Sequence, residues 1–253
     1  MHDDDDTPAP KTAKVLKAIL FVASAGIFAA LVRLSIHEPL VAVLVAVVAA
    51  ILLGWRWWAG ARIVRMLRRG EVHEIIAHWS DGLERTPNAA TIAPLVTATA
   101  FAAFGRVEDA RRALASAARG PAWEAAIEHR IFLDTLLSTF EGDADHARTQ
   151  VARLVTLPMP DRKELAARVG ALREAVAALV RAFSHRSVPG DLARLERASE
   201  NSPLVHWAMR YAAAIVAIDT GDPDKARSLI ANAPAWPTES AFRSFHDEIR
   251  QAC

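Results

Sequence analysis

The chain has 253 residues, and its 30 Lys and Arg residues nearly balance its 29 Asp and Glu residues. This balance excludes a dedicated nucleic-acid binder, which would carry a marked excess of basic residues. The single cysteine, Cys253, excludes an intrachain disulfide. The sequence is rich in Ala, Leu and Arg and lacks runs of alternating β-branched residues, so an all-α fold is predicted.

The N-terminal part begins with an acidic segment and continues with two apolar runs. Residues 1–14, which include four consecutive aspartates, are predicted to be disordered. Residues 18–32 and 39–55 contain no charged side chain, and with their flanks each run reaches about 20 residues, enough for a helix to cross a bilayer core of about 30 Å. The sequence therefore predicts a transmembrane helical hairpin over residues 15–58.

Basic and aromatic residues flank the predicted hairpin and indicate its orientation. Three lysines precede the first apolar run and five arginines follow the second, whereas the connecting turn offers only Arg33, offset by Glu38. Because basic flanks stay on the cytoplasmic side, we expect a two-pass protein of a bacterial inner membrane with both termini in the cytoplasm. The side chains expected at the membrane interface are Lys17, Trp55, Trp57, Trp58, Arg62 and Arg65.

The two apolar runs and residues 59–69 also have other interpretations. In the first, residues 18–32 are a cleaved signal peptide, although no small-x-small cleavage site follows them. A second makes the two runs a buried helix pair in a soluble core, although both faces of each run are apolar. Residues 59–69 either lie on the inner leaflet or continue the second helix into water.

A seven-residue pattern, G-x-x-[DE]-x-A-R, occurs three times in the rest of the chain, at residues 105–111, 142–148 and 221–227. Apolar helical stretches precede and follow each occurrence. The Gly is therefore expected to end one helix in the left-handed conformation, and the Ala to let the two helices touch. Where Asp follows the Gly, it is expected to cap the next helix. The spacing predicts an array of helix pairs.

These helix pairs resemble the tetratricopeptide repeat family, whose unit is a helix pair of about 34 residues. The small and turn residues that carry the resemblance are Ala98, Gly105, Ala110, Leu114, Ala117, Pro121, Gly142, Ala147, Ala214, Gly221, Ala226 and Ile230. The resemblance covers residues 91–233 and implies a right-handed repeat array in a domain over residues 89–253. Residues 161–202 match poorly and are predicted to form a degenerate pair, with a long helix over 162–183 and a short one over 191–198. An irregular helical bundle that uses the same turns is the alternative. The order of hairpin and repeats is also similar to the HemY-type inner-membrane proteins, in architecture only.

Helices are predicted at both ends of the array. Residues 59–88 are expected to hold a basic juxtamembrane segment and a helix over 71–85 that ends at Thr86-Pro87-Asn88. A C-terminal helix over residues 240–251 is expected to cap the array.

The sequence offers no catalytic or metal-binding motif. His73 and His78 are five residues apart, whereas the zinc protease motif places its two histidines four residues apart on one helix face. There is no Gly-rich phosphate loop and no serine in a nucleophile-elbow context. We therefore expect no catalytic residue, no metal and no cofactor, and we do not expect an enzyme.

Three arginines, Arg111, Arg148 and Arg227, recur at one position of the repeat pattern. They are the candidate partner-binding residues, because arginines along one groove would recognise acidic peptide ends. A solvated face is the alternative. The expected function is a membrane-anchored scaffold that binds a protein partner and no nucleic acid. The alternatives are an assembly subunit that forms homo-oligomers through its hairpin and, third, a membrane-tethered enzyme.

Overall fold

A computed structural model describes Val47, Ala50, Val64–Met66, Arg69 and Val72–Cys253. By its contacts the chain divides into two compact units, Met1–Ala61 and Arg62–Cys253. The second unit holds nearly all of the described residues, and the helices below belong to it.

The predicted hairpin over residues 15–58 lies outside the described residues, Val47 and Ala50 excepted. The same holds for five of the expected interface residues, which are Lys17, Trp55, Trp57, Trp58 and Arg62. The sixth, Arg65, lies in helical backbone and is exposed. Within the described part of the chain, no helix combines the length and the apolar character needed to span a membrane.

Every regular element of the described residues is a helix, which confirms the all-α prediction. A short 3-10 turn at Glu124–Ala126 precedes α4. The α-helices, in chain order, are α1 (Val72–Leu83), α2 (Ala89–Ala103), α3 (Val107–Ala117), α4 (Ile127–Phe140), α5 (Ala144–Thr156), α6 (Lys163–Phe183), α7 (Asp191–Asn201), α8 (His206–Asp219), α9 (Pro223–Ile230) and α10 (Ala241–Ala252).

Helices α2 to α9 form four successive pairs, α2/α3, α4/α5, α6/α7 and α8/α9. Three of the pairs turn at a glycine in the left-handed region, where a Cβ would be strained. The φ angles of Gly105, Gly142 and Gly221 are 65°, 80° and 82°. In the pair α6/α7 the corresponding left-handed residue is His185, with a φ of 51°, and Gly190 (φ 91°) directly precedes α7. The alanines of the repeat pattern, Ala110, Ala147 and Ala226, are fully buried. The predicted turn and packing roles of these residues are therefore confirmed.

Two aspartates that follow the turn glycines cap the second helix of their pair, as predicted. The Asp143 carboxylate accepts the backbone N–H of His146 at 3.0 Å, and the Asp222 carboxylate accepts that of Lys225 at 3.0 Å. Each satisfies a donor that the first turn of a helix would otherwise leave unpaired.

The first helices of the pairs form an inner layer, and the second helices lie outside it. Along the chain α2 contacts α4, α4 contacts α6 and α6 contacts α8, and α8 also contacts α2. Burial agrees with this division, because α8 buries ten residues and its partner α9 buries three. Most of the core therefore lies between the first helices.

The C-terminal helix α10 packs across this inner layer. Phe242 is fully buried, with its ring centroid 5.3 Å from that of Phe140 on α4 and 5.2 Å from that of Tyr211 on α8. The ring centroid of Phe245 lies 4.9 Å from that of Phe183, at the end of α6. The helix itself was predicted, but its contacts extend beyond the last pair to the carboxyl-terminal ends of the earlier first helices.

Hydrogen bonds tie the start of α10 to the turn of the first pair. The Ser240 hydroxyl donates to the Phe104 carbonyl at 2.6 Å, and the Ala241 N–H donates to the Gly105 carbonyl at 2.9 Å. The two ends of the array are thus joined, and this part of the inner layer is covered by the chain itself.

Candidate functional site

Arg111, the first of the three candidate arginines, joins α3 to α4. Its guanidinium donates to both carboxylate oxygens of Glu141 at 3.0 and 2.7 Å, to Asp134 Oδ1 at 2.5 Å and to Ser138 Oγ at 3.0 Å. The hydrogen bonds to Glu141, above all, raise the pKa of Arg111 above its usual value. Two carboxylates of its own chain therefore already engage this arginine.

Arg148 and Arg227 occupy the same position of later pairs but have different surroundings. Arg148 pairs with Asp145 and Arg227 with Asp224, in each case three residues back on the same helix, and both arginines are exposed. Neither lines the cavity that Arg111 lines. Binding of a partner by these three arginines stays a prediction.

The cavity at Arg111 has a volume of about 390 Å³ and lies between α3, α4 and α5. Its charges are largely compensated within the chain. Asp134 is bound by Arg111 and by His146 at 2.7 Å, and Arg130 lies over the Trp123 ring at 4.0 Å. Burial raises the pKa of Asp134, but the hydrogen bonds from Arg111 and His146 outweigh it and hold that pKa below its usual value. This network holds helices together.

A second cavity of about 390 Å³ opens on the inner layer, at the ends of the first helices away from α10. Its lining is mostly apolar and includes Phe132, Val169, Leu172, Leu204 and Val205. Two polar residues of the lining, Thr99 and His129, are hydrogen-bonded to each other at 2.7 Å. Its two charged residues neutralise each other, because Arg173 donates to Glu128 Oε1 at 2.8 Å. The cavity thus offers an apolar slot without net charge.

A basic cavity of about 580 Å³ adjoins this slot, between α6 and α7. Leu172 and Ser202 line both cavities, so the two are direct neighbours. Three arginines and no acidic residue line the basic cavity, and they are Arg168, Arg194 and Arg197. We refer to the apolar slot and the basic cavity together as the α6 groove.

The arginines of the α6 groove differ in their partners. Arg194 contacts Asp191 Oδ1 at 3.2 Å and Glu174 Oε2 at 3.7 Å. Arg168 and Arg197 are exposed, and among the residues that the structure describes neither has an ion-pair or hydrogen-bond partner. The α6 groove therefore presents two exposed guanidinium groups beside its apolar slot.

Sequence reasoning did not find this groove, because its helix pair departs from the repeat pattern. His185 takes the turn position that glycine holds in the other pairs, and Gly190 directly precedes α7. Five and six residues after Gly190 stand Leu195 and Glu196, where the repeat pattern has Ala and Arg. Leu195 is fully buried and Glu196 pairs with Lys225 at 2.5 Å. The available signal was the arginine-rich composition of α6 and α7 beside a glycine turn.

The described residues show no group of three or more side chains that could hold a metal ion. His73, which the spacing argument excluded as a zinc ligand, lies 2.9 Å from the Arg106 guanidinium through its Nε2. The geometry that the structure does offer is a groove with an apolar and a cationic part, which suits binding.

Comparisons with known proteins find no family model that matches this chain, no similar curated protein and no similar solved structure.

Proposed function

We propose that this chain is a membrane-anchored helical-repeat scaffold that binds a protein partner at the cytoplasmic face of a bacterial inner membrane. The predicted hairpin over residues 15–58 is the anchor, and the tetratricopeptide-like helix pairs form the binding domain. Three features support the proposal: the apolar runs with their basic flanks, the four helix pairs, three of which turn at a glycine, and the α6 groove.

The α6 groove is the observation that carries the proposal. An apolar slot next to a cavity lined by three arginines and no acidic residue suits a binding surface, because ligand sites combine a mostly apolar lining with a few polar groups. Helix α10 packs on the opposite end of the inner layer, where a smaller cavity of about 230 Å³ remains beside Phe183 and Phe245. The two cavities of the α6 groove are larger, and we therefore place the partner there.

Site-specific photocrosslinking in native membranes tests the proposal. A photoreactive residue would replace Ala171, an exposed residue of the groove, and in a matched control Ala152, an exposed residue of α5. We expect a discrete adduct of the full chain with one protein from position 171 and none from 152. Absence of an adduct at 171, or the same adducts from both positions, would contradict partner binding in this groove.

A further inference from the structure

The α6 groove combines two chemistries that a single ligand would have to match. The apolar slot has room for a large hydrophobic side chain, since cavities of about 300–1,000 Å³ are typical of ligand sites. Beside it, Arg168 and Arg197 have no acidic partner among the described residues. Unpaired guanidinium groups at the edge of an apolar slot attract carboxylates, with which they form paired hydrogen bonds.

Other arginine clusters of the described unit do not offer this combination. The cavity at Arg111 also contains three arginines, but Asp134 lines it and Glu141 binds Arg111. Arg181 is also engaged within the chain, because its guanidinium donates to both carboxylate oxygens of the buried Asp191 at 2.9 and 2.6 Å. In the α6 groove, by contrast, two of the three arginines, Arg168 and Arg197, have no ion-pair partner among the described residues, and both line a cavity next to an apolar slot.

We propose that the partner presents a short acidic segment with one apolar anchor residue to the α6 groove. The anchor enters the slot between Phe132, Val169 and Leu172, and neighbouring Asp or Glu carboxylates bind Arg168 and Arg197. This inference deepens the proposed function and rests on it, since it names the chemistry of the segment that the scaffold binds.

The geometry also sets the order of residues in the segment. The slot and the basic cavity share Leu172 and Ser202, so the apolar anchor and the carboxylates must be close neighbours in the bound peptide. Arg194 is partly engaged by Asp191 and Glu174, and therefore it contributes less than Arg168 and Arg197. A segment with acids but no apolar neighbour would use only half of the groove.

Fluorescence polarisation with synthetic peptides and the full chain in detergent tests the proposal. The probe is a short labelled peptide in which Leu or Phe is flanked by Asp and Glu. Its matched controls carry Asn and Gln in place of the acids, or Ser in place of the apolar residue. We expect either replacement to weaken binding at least about tenfold, and added salt to weaken binding of the acidic probe.

Charge reversal locates the site. The double variant Arg168→Glu/Arg197→Glu should bind the acidic probe at least about tenfold more weakly and should gain binding to the same peptide with lysines in place of the acids. The matched control Arg119→Glu/Arg243→Glu changes the net charge by the same amount, at exposed positions outside the groove. It should leave binding of the acidic probe unchanged. Equal losses in the two double variants would overturn the assignment of the site.

Two further outcomes would overturn the proposal in different ways. If anionic phosphatidylglycerol vesicles bound in an Arg168- and Arg197-dependent manner while the peptides did not, the groove would be a lipid-docking surface. If the photocrosslink at position 171 captured a partner but acidic peptides did not bind, the scaffold function would stand and the chemistry of its segment would be wrong. Peptide binding without any crosslinked partner would contradict the scaffold function itself.

Discussion

Substitution of Gly105 by Ala tests whether α10 is locked onto the first pair. Gly105 has a φ of 65°, and a Cβ at this position would lie 2.9 Å from the Phe242 ring and 2.9 Å from Ser240 Oγ. Both neighbours are buried, and Ser240 is held by its hydrogen bond to the Phe104 carbonyl. The added methyl group therefore has no space into which the neighbours can withdraw.

Two terms set the expected cost. A left-handed conformation costs a residue with a Cβ about 1–2 kcal/mol, and overpacking of a buried site costs about a further 1–3 kcal/mol. Gly105→Ala should therefore destabilise the fold by about 2–5 kcal/mol. Gly142 and Gly221 have φ values of 80° and 82°, but no atom lies within 4 Å of the Cβ that Ala would add. Their replacement should cost only the first term, about 1–2 kcal/mol.

Urea titration of the full chain, with the folded fraction measured by pulse proteolysis, provides the comparison. We expect the midpoint of Gly105→Ala to fall clearly below those of Gly142→Ala and Gly221→Ala, which should be similar to each other. Equal midpoints for all three variants would mean that the contact between α10 and the first turn does not form, and the reasoning would be refuted.

Three other perturbations follow from single contacts. Asp143→Ala removes the cap of α5 and should lower the free energy of unfolding by about 1 kcal/mol. Asp145→Ala, which removes an exposed acid of the same helix, should lower it less. Equal urea midpoints for the two variants would contradict the capping role of Asp143. Phe242→Ala leaves a cavity at a fully buried site and should lower the free energy of unfolding by about 3–5 kcal/mol. Arg243→Ala, at an exposed position, should lower it by less than about 0.5 kcal/mol. Similar losses of stability in the two variants would contradict the burial of Phe242. Burial raises the pKa of Asp191, but hydrogen bonds from Arg181 and the Val188 N–H outweigh it and leave that pKa below its usual value. Because the folded-state pKa is lowered, this carboxylate stabilises the fold above the unfolded-state pKa, and the stabilisation is lost as the pH falls below about 5 toward the folded-state value. Urea midpoints measured against pH should therefore fall less steeply on acidification for Asp191→Asn than for the parent, and parallel curves would contradict this role.

The sequence predicted those parts of the fold whose signals are local. A glycine turn, an aspartate cap and a buried alanine all act within a few residues, so the turns at Gly105, Gly142 and Gly221 were found. The bounds of α6 were also close, with 162–183 predicted and Lys163–Phe183 observed. Docking of α10 was not predicted, because the Ser240 to Phe104 hydrogen bond joins residues 136 positions apart.

The candidate site was harder to predict, because it depends on which charges find partners. Arg111 and Arg148 have the same local pattern, but only Arg111 meets acids on the following helix, 23 and 30 residues away. Arg168 and Arg197 lie on two helices with acidic residues nearby in sequence, such as Glu164 and Glu200, and yet neither is paired. Only the packing of α6 against α7 decides this outcome.

The most direct test of the central claim is to measure the membrane topology. That claim is that a membrane anchor presents the repeat domain to cytoplasmic partners. Reporters that are active only inside or only outside the cytoplasm would be fused after Cys253 of the full chain and compared in cells. The account predicts cytoplasmic activity, because two spans return the chain to the side on which it began. Activity of the external reporter would contradict it and would place the α6 groove on the opposite side of the membrane.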